Sequence, residues 1–82
     1  MALYFLTYDL RDSRDYEVLY SELRRFSAVR VLKSTWCFHH QNTSTVALRD
    51  HVRQILDADD GLIVTNIDGW ASYKTDGTPK DL

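Results

Sequence analysis

Ala2–Asp9, ALYFLTYD, is seven uncharged residues followed by a carboxylate where the chain leaves the apolar run. Side chains alternate along a strand, so Leu3, Phe5 and Thr7 fall on one side and Ala2, Tyr4, Leu6 and Tyr8 on the other. Neither side is clearly polar, which predicts a strand covered on both faces. Its last residue, Asp9, then stands at the rim of a core.

Five more segments follow the same logic. Tyr16, Leu19, Tyr20, Leu23 and Phe26 stand at offsets 0, 3, 4, 7 and 10, a stripe of helical period preceded by two candidate caps, Asp12 and Ser13. Glu17, Glu22, Arg24 and Arg25 occupy much of the remaining surface, so this helix packs through one face. Ala28–Leu32 and Thr35–His40 read as two strands forming a hairpin or a bent pair, with no glycine in the turn to sharpen their boundaries. The polar run QNTST, residues 41–45, opens a second helix to about Leu56. Its apolar residues Leu48, Val52, Ile55 and Leu56 share one face. Asp57, Asp59, Asp60 and Gly61 stop it; these acids lack the spacing and terminal glutamate of an EF-hand. Leu62–Ile67 is the last strand. Beyond Asp68 the composition reads as a tail, with a short extra strand over Trp70–Tyr73 as the alternative.

The order strand, helix, strand, strand, helix, strand is that of an α+β, ferredoxin-like βαββαβ domain over residues 1–69. Its four-stranded antiparallel sheet carries both helices on one face. The other face is then bare although the first and last strands are apolar on both sides, and monomers rarely expose apolar patches beyond a few hundred Å². The expectation is a homodimer that buries this face. Tyr4, Tyr8, Trp36 and Trp70 are the aromatic residues expected at the interface, and Trp70–Tyr73 is a candidate edge strand for the partner sheet. For Trp36, beside Cys37 and Phe38, core packing is equally compatible.

Composition narrows the function classes. Eighty-two residues make one domain with a small core. A net charge of −2, from ten basic and twelve acidic residues, argues against a protein whose main task is to neutralise many phosphates. Cys37 is the single cysteine, which excludes an internal disulfide and a multi-thiolate metal site and suits a reducing cytoplasm. No basic n-region precedes the apolar start, and no apolar run approaches the roughly 18 residues of a membrane span. The expectation is a cytoplasmic protein with no membrane association.

The strand ending in Tyr8 and Asp9, the capped helix, VLKSTW at Val31–Trp36, the second helix and LIVTNIDG at Leu62–Gly69 together resemble the small CRISPR-associated Cas-two family and its VapD-like relatives. The likeness covers about residues 2–69 and rests on order, spacing and short motifs. It implies a ferredoxin-like homodimer in which Asp9 faces its counterpart and holds a divalent metal, Mg²⁺ or Mn²⁺, for phosphodiester cleavage. Ser34 and Trp36 match the serine and aromatic positions of the family's segment at the second and third strands. The tail and the sparse basic surface depart from the family pattern, which disfavours duplex DNA and leaves RNA as the preferred substrate.

Asp9 also has a case of its own, because two carboxylates related by a two-fold axis can clamp one hard cation. The plainer alternative is an Asp that accepts backbone hydrogen bonds in a turn. Asp12 and Asp15 are candidates for secondary metal oxygens, but acids at a helix start also gain from the helix dipole. Arg11, Arg14, Lys33 and Ser34 are the candidate contacts to nucleic acid. Arg24, Arg25 and Arg30 add positive charge in the first half of the chain that could meet a phosphate backbone if the fold gathers it, although helix-exposed arginines usually just solubilise. Trp36, Trp70 and the tyrosines could stack on bases. His39 and His40 are adjacent on a strand and point to opposite faces, so they do not converge on one ion. A second function of a different class keeps the dimer without catalysis: an interaction or scaffold module with a protein partner, from a defence-related or mobile-element system.

Overall fold

The two sides of the opening strand are covered in different ways. In the computed structural model, which describes residues 2–11 and 16–82, the chain runs β1 (Ala2–Asp9), α1 (Glu17–Arg25), β2 (Val29–Leu32), β3 (Thr35–His40), α2 (Thr45–Arg53), β4 (Gly61–Ile67) and a 3-10 turn at Pro79–Asp81. The strands form one antiparallel sheet in the order β2-β3-β1-β4. The candidate caps Asp12 and Ser13 lie outside the described residues. This small α+β architecture, a four-stranded antiparallel sheet with two helices, is compatible with a ferredoxin-like arrangement.

Register decides which residues share a face. Tyr4 sits opposite Phe38 and Leu6 opposite Trp36, so these side chains project together. With Tyr8 they meet Leu19 and Leu23 of α1 and Leu48 and Val52 of α2 in one buried cluster. Both helices therefore lie on the Tyr4–Leu6–Tyr8 side. Phe38 is fully buried and stacks on Tyr4 at 5.9 Å and on Phe26 at 5.1 Å between ring centroids. Burying each such side chain contributes about 1.5–3 kcal/mol.

The helix ends follow local chemistry. Ser44 is the N-cap of α2, its Oγ accepting from the Ala47 N–H at 3.0 Å. The helix closes at Arg53, short of the expected Leu56, but Ile55 and Leu56 still pack on the core from the turn that follows. At the end of α1, Ser27 takes a left-handed φ of 58° while Ala28 N–H reaches Leu23 O and Ser27 N–H reaches Arg24 O. That is a Schellman closure without glycine.

The helices are joined by Glu22 and His51, whose Oε2 and Nε2 lie 2.6 Å apart, with Arg25 Nη1 2.8 Å from the other Glu22 oxygen. The Glu22 side chain is only 12% exposed. The hydrogen bond to His51 holds its carboxyl below the ordinary value. A depressed carboxylate stabilises the fold at pH above its unfolded value, and that stabilisation is lost as pH falls through the folded value. The stability difference between the wild type and Glu22→Gln should therefore be constant near neutrality, about 1 kcal/mol, and shrink in acid below the unperturbed carboxylate range. Urea midpoints measured from pH 7 to pH 3 check this; a difference independent of pH would contradict it.

The other face of the sheet corrects an expectation. Trp70–Tyr73 forms no strand; the C-terminal segment instead folds back over β2 and β3. The Asp76 N–H donates to the Val31 carbonyl at 2.8 Å. Gly77 is pressed so close that a Cβ there would lie 2.8 Å from Val29 Cγ1 and 2.9 Å from the Arg30 carbonyl oxygen. The segment closes in a capping box, with Thr78 N–H donating to Asp81 Oδ2 at 2.9 Å. Val31 and Cys37 are buried on this side, and Trp70 and Pro79 share a cleft of about 150 Å³ with Phe5. The chain thus covers half of its second face itself. The β1–β4 half stays open: Ile63 is 63% exposed, and Leu3, Phe5 and Ile67 are half-buried.

Tyr4, Tyr8 and Trp36 are corrected too. They are 3%, 5% and 5% exposed, under the chain's own helices. Their register puts them on the helix-covered face, so they are spent in the core rather than offered to a second copy. Trp70, on the opposite side, remains partly exposed.

Candidate functional site

Asp9 ends β1 opposite Gly61 of β4. One residue past Tyr8, it falls on the face away from the helices, and its side chain is 74% exposed. Arg11 Nε lies 3.5 Å from its carboxylate, a long and solvated pair that contributes little to stability. Arg11 is itself placed by its backbone, whose N–H donates to Asp60 Oδ1 at 3.0 Å, while the other Asp60 oxygen accepts from the Asp57 N–H at 3.0 Å. Asp60 therefore ties the exit of β1 to the turn before β4. The Arg11 guanidinium crosses Gly61 so closely that a Cβ there would meet Nη2 at 3.0 Å.

On the other side of Asp9, the β2–β3 turn is fixed by a convergence on one carbonyl. Lys33 O accepts from Arg30 Nη2 at 2.6 Å, from Arg30 Nε at 3.0 Å and from the Tyr8 hydroxyl at 3.3 Å. Trp36 Nε1 donates to the same Tyr8 hydroxyl at 3.3 Å, and Tyr8 N–H donates to Ser34 O at 3.1 Å. Burial raises the Tyr8 phenol above its ordinary value, so it remains a neutral donor. The Arg30 guanidinium lies over the rings of Tyr20 and Trp36, at 4.9 and 5.6 Å from their centroids. Strand end, turn and α1 thus enclose a cleft of about 290 Å³ whose lining includes Asp9, Tyr16, Tyr20, Arg30, Lys33 and Ser34.

Three of the expected site residues, Asp9, Lys33 and Ser34, therefore share one cleft. Arg11 stands on the opposite flank of Asp9, in a second depression with Gly61 and Ile63. Arg14, with Asp12 and Asp15, lies outside the described residues. His39 is exposed, whereas His40 meets the ring of Phe26 edge-on at 5.4 Å, so the two histidines part as alternation requires. Arg24 and Arg25 pair with Glu17 and Glu22 along the helix surface.

Arg30, one of the first-half cations, and the tyrosines Tyr16 and Tyr20 join the cleft lining, a grouping that the sequence did not show. The signal was an arginine between Val29 and Val31, a polar residue whose parity turns it toward the helix-covered side.

Among the described residues, no three His, Cys, Asp or Glu side chains are grouped to hold a metal ion. Asp9 offers one hard-oxygen donor per chain. That suits Mg²⁺ or Mn²⁺, which accept one or two carboxylates with waters and substrate phosphate, only where a second chain supplies the second carboxylate. No helix among the described residues is long and apolar enough to cross a membrane. No family model matches the chain, and no solved structure matches it at a significant level.

Proposed function

We propose that the chain is a ferredoxin-like subunit of a homodimer that hydrolyses phosphodiester bonds with Mg²⁺ or Mn²⁺, as its resemblance to the Cas-two family implies, and that RNA is preferred to DNA. The observation that carries this reading is the position of Asp9: an exposed carboxylate at the end of an inner strand, on the face that the helices leave uncovered. The open half of that face, with Ile63 exposed beside Leu3 and Ile67, favours a second copy as the source of the facing Asp9. When bound, the ion would neutralise charge developing on the phosphate and make water a better nucleophile. The chain's own task is to hold one carboxylate oxygen toward the two-fold axis and to present Lys33 and Ser34 to the phosphate. The water oxygen bonds to phosphorus as the bond to the leaving nucleoside oxygen breaks, and that oxygen takes up a proton. RNA is preferred because the net charge is negative and, among the described residues, the ion-paired Arg24, Arg25 and Arg49 form no continuous basic surface for a duplex.

A non-catalytic dimeric scaffold is the second reading. It is favoured by Arg11 at the Asp9 carboxylate, where a cation already stands, and by the lack of a third donor among the described residues. End-labelled single-stranded RNA and DNA incubated with the purified protein separate the two. The expected result is RNA cleavage with Mn²⁺ or Mg²⁺ and none in EDTA. A stable dimer that cuts no substrate under either condition would leave the scaffold standing.

A further inference from the structure

The open half of the sheet face and the C-terminal tail carry a matched knob and hole. From β1 and β4 that face presents Leu3, Phe5, Thr7, Ile63, Thr65 and Ile67, which sit opposite one another in the register and include no charge. Ile63 is the knob, with 63% of its surface exposed. The hole lies across the same face, where the tail leaves a gap of about 150 Å³ over the sheet. Phe5, Val31, Leu32 and Thr35 line it from the sheet side, Trp70 and Pro79 from the tail, and no charged side chain reaches it. An apolar cavity of about that size holds benzene, so an isoleucine side chain fits.

The register decides whether knob and hole can meet. Thr7 of β1 pairs with Thr35 of β3 on one side and with Ile63 of β4 on the other. Ile63 and the Thr35 edge of the cleft therefore stand at one level, on either side of β1. In a dimer where Asp9 faces its counterpart and the open face is covered, the two-fold axis runs above β1 and along it. That rotation keeps the level along the strand and exchanges the β4 side for the β3 side. It carries each Ile63 over the partner's Thr35, at the mouth of the partner's cleft. Facing sheets with strand directions within about 30° of each other are a standard packing, and a two-fold axis makes every such contact twice.

We propose that Ile63 of each chain seats in the Phe5–Trp70 cleft of the other, so that the C-terminal tail builds a socket for a second copy. The inference deepens the dimer reading and rests on it for the direction of the axis. A second copy is favoured over another protein because one chain carries both halves of the contact, at matching level and without charge on either. The tail then has two tasks: it covers β2 and β3 of its own sheet, and it walls the pocket that receives the neighbour.

The test is the dimer dissociation constant of the full chain by sedimentation, with Ile63→Asp beside the wild type. The substitution drives a carboxylate into each of two apolar sockets and is expected to raise the constant at least about a hundredfold. The urea midpoint, read at concentrations where both proteins are monomeric, is expected to stay the same, because Ile63 is exposed in the single chain. The contact itself is read by mixing a chain carrying Ile63→Cys with one carrying Ala71→Cys, Ala71 being part of the cleft lining. Under mild oxidation the mixture is expected to give a cross-linked heterodimer and neither chain alone to do so; Cys37 is fully buried and does not compete. A monomer at every concentration, a dimer that Ile63→Asp leaves intact, or a mixture without the heterodimer would overturn the assignment. A cross-linked dimer that cuts no RNA would retain the socket and remove the phosphodiesterase. RNA cleavage by a dimer that Ile63→Asp leaves intact would do the reverse.

Discussion

Asp9→Asn is expected to abolish metal-dependent cleavage while leaving the fold intact. The substitution keeps the shape of the side chain and removes its charge. At 74% exposure, with one partner 3.5 Å away, the carboxylate contributes little to stability, so the unfolding midpoint should move by no more than the equivalent of about 0.5 kcal/mol. Catalysis is affected quite differently. In a symmetric site each chain gives one carboxylate, so the substitution removes both anionic protein ligands at once. Charge stabilisation by a metal is worth several kcal/mol in the transition state, and each ~1.4 kcal/mol is tenfold in rate. The expected loss is therefore at least about a hundredfold. Initial rates on labelled RNA, with midpoints measured on the same preparations, check both halves. Undiminished cleavage in the variant would place the activity elsewhere.

Phe38→Ala is expected to have the largest effect on the fold. Phe38 lies on the middle of β3, is fully buried, and stacks between Tyr4 from β1 and Phe26 from the end of α1. Removing a buried Phe ring costs about 3–5 kcal/mol, partly for the cavity left behind. A chain of 82 residues has a total stability of only about 4–12 kcal/mol. The variant should either be unfolded at 25 °C or lose about 3 M from its urea midpoint, given a slope near 1 kcal/mol per M for a domain this small. A loss below 1 M would mean that the stacked trio is not the centre of the core.

How much of this was legible depends on the range of the interaction involved. The boundaries of β3 and the apolar stripes of both helices follow from alternation and period, which are local. The two-sided apolarity of β1 was also visible, but not what covered each side. That depends on pairing β1 with β3, which sends Tyr4, Leu6 and Tyr8 under the helices. It depends equally on a tail whose glycine and proline looked like loose ends. Gly77 is there for close approach to β2, a contact formed across more than forty residues. The α2 stop at Arg53 was hidden because Ile55 and Leu56 continue the apolar pattern and reach the same core from a turn.

At the candidate site, Asp9, Lys33 and Ser34 were readable as strand-end and turn residues. Arg30 was readable only as one of several first-half cations, because an arginine flanked by valines looks like any solvated cation until the hairpin brings its guanidinium onto the Lys33 carbonyl and the Tyr20 ring. Tyr16 and Tyr20 were readable as a helix stripe and as rings able to stack on bases; their place at the cleft comes from the tertiary fold.

In the proposed dimer one divalent ion is shared by two copies of Asp9. Equilibrium Mn²⁺ titration, read by the loss of the free-ion paramagnetic resonance signal at a protein concentration where the dimer is confirmed by sedimentation, measures that stoichiometry. One Mn²⁺ is expected for every two chains, with that binding lost in Asp9→Asn. One ion per chain, or a titration that Asp9→Asn leaves unchanged, would contradict it.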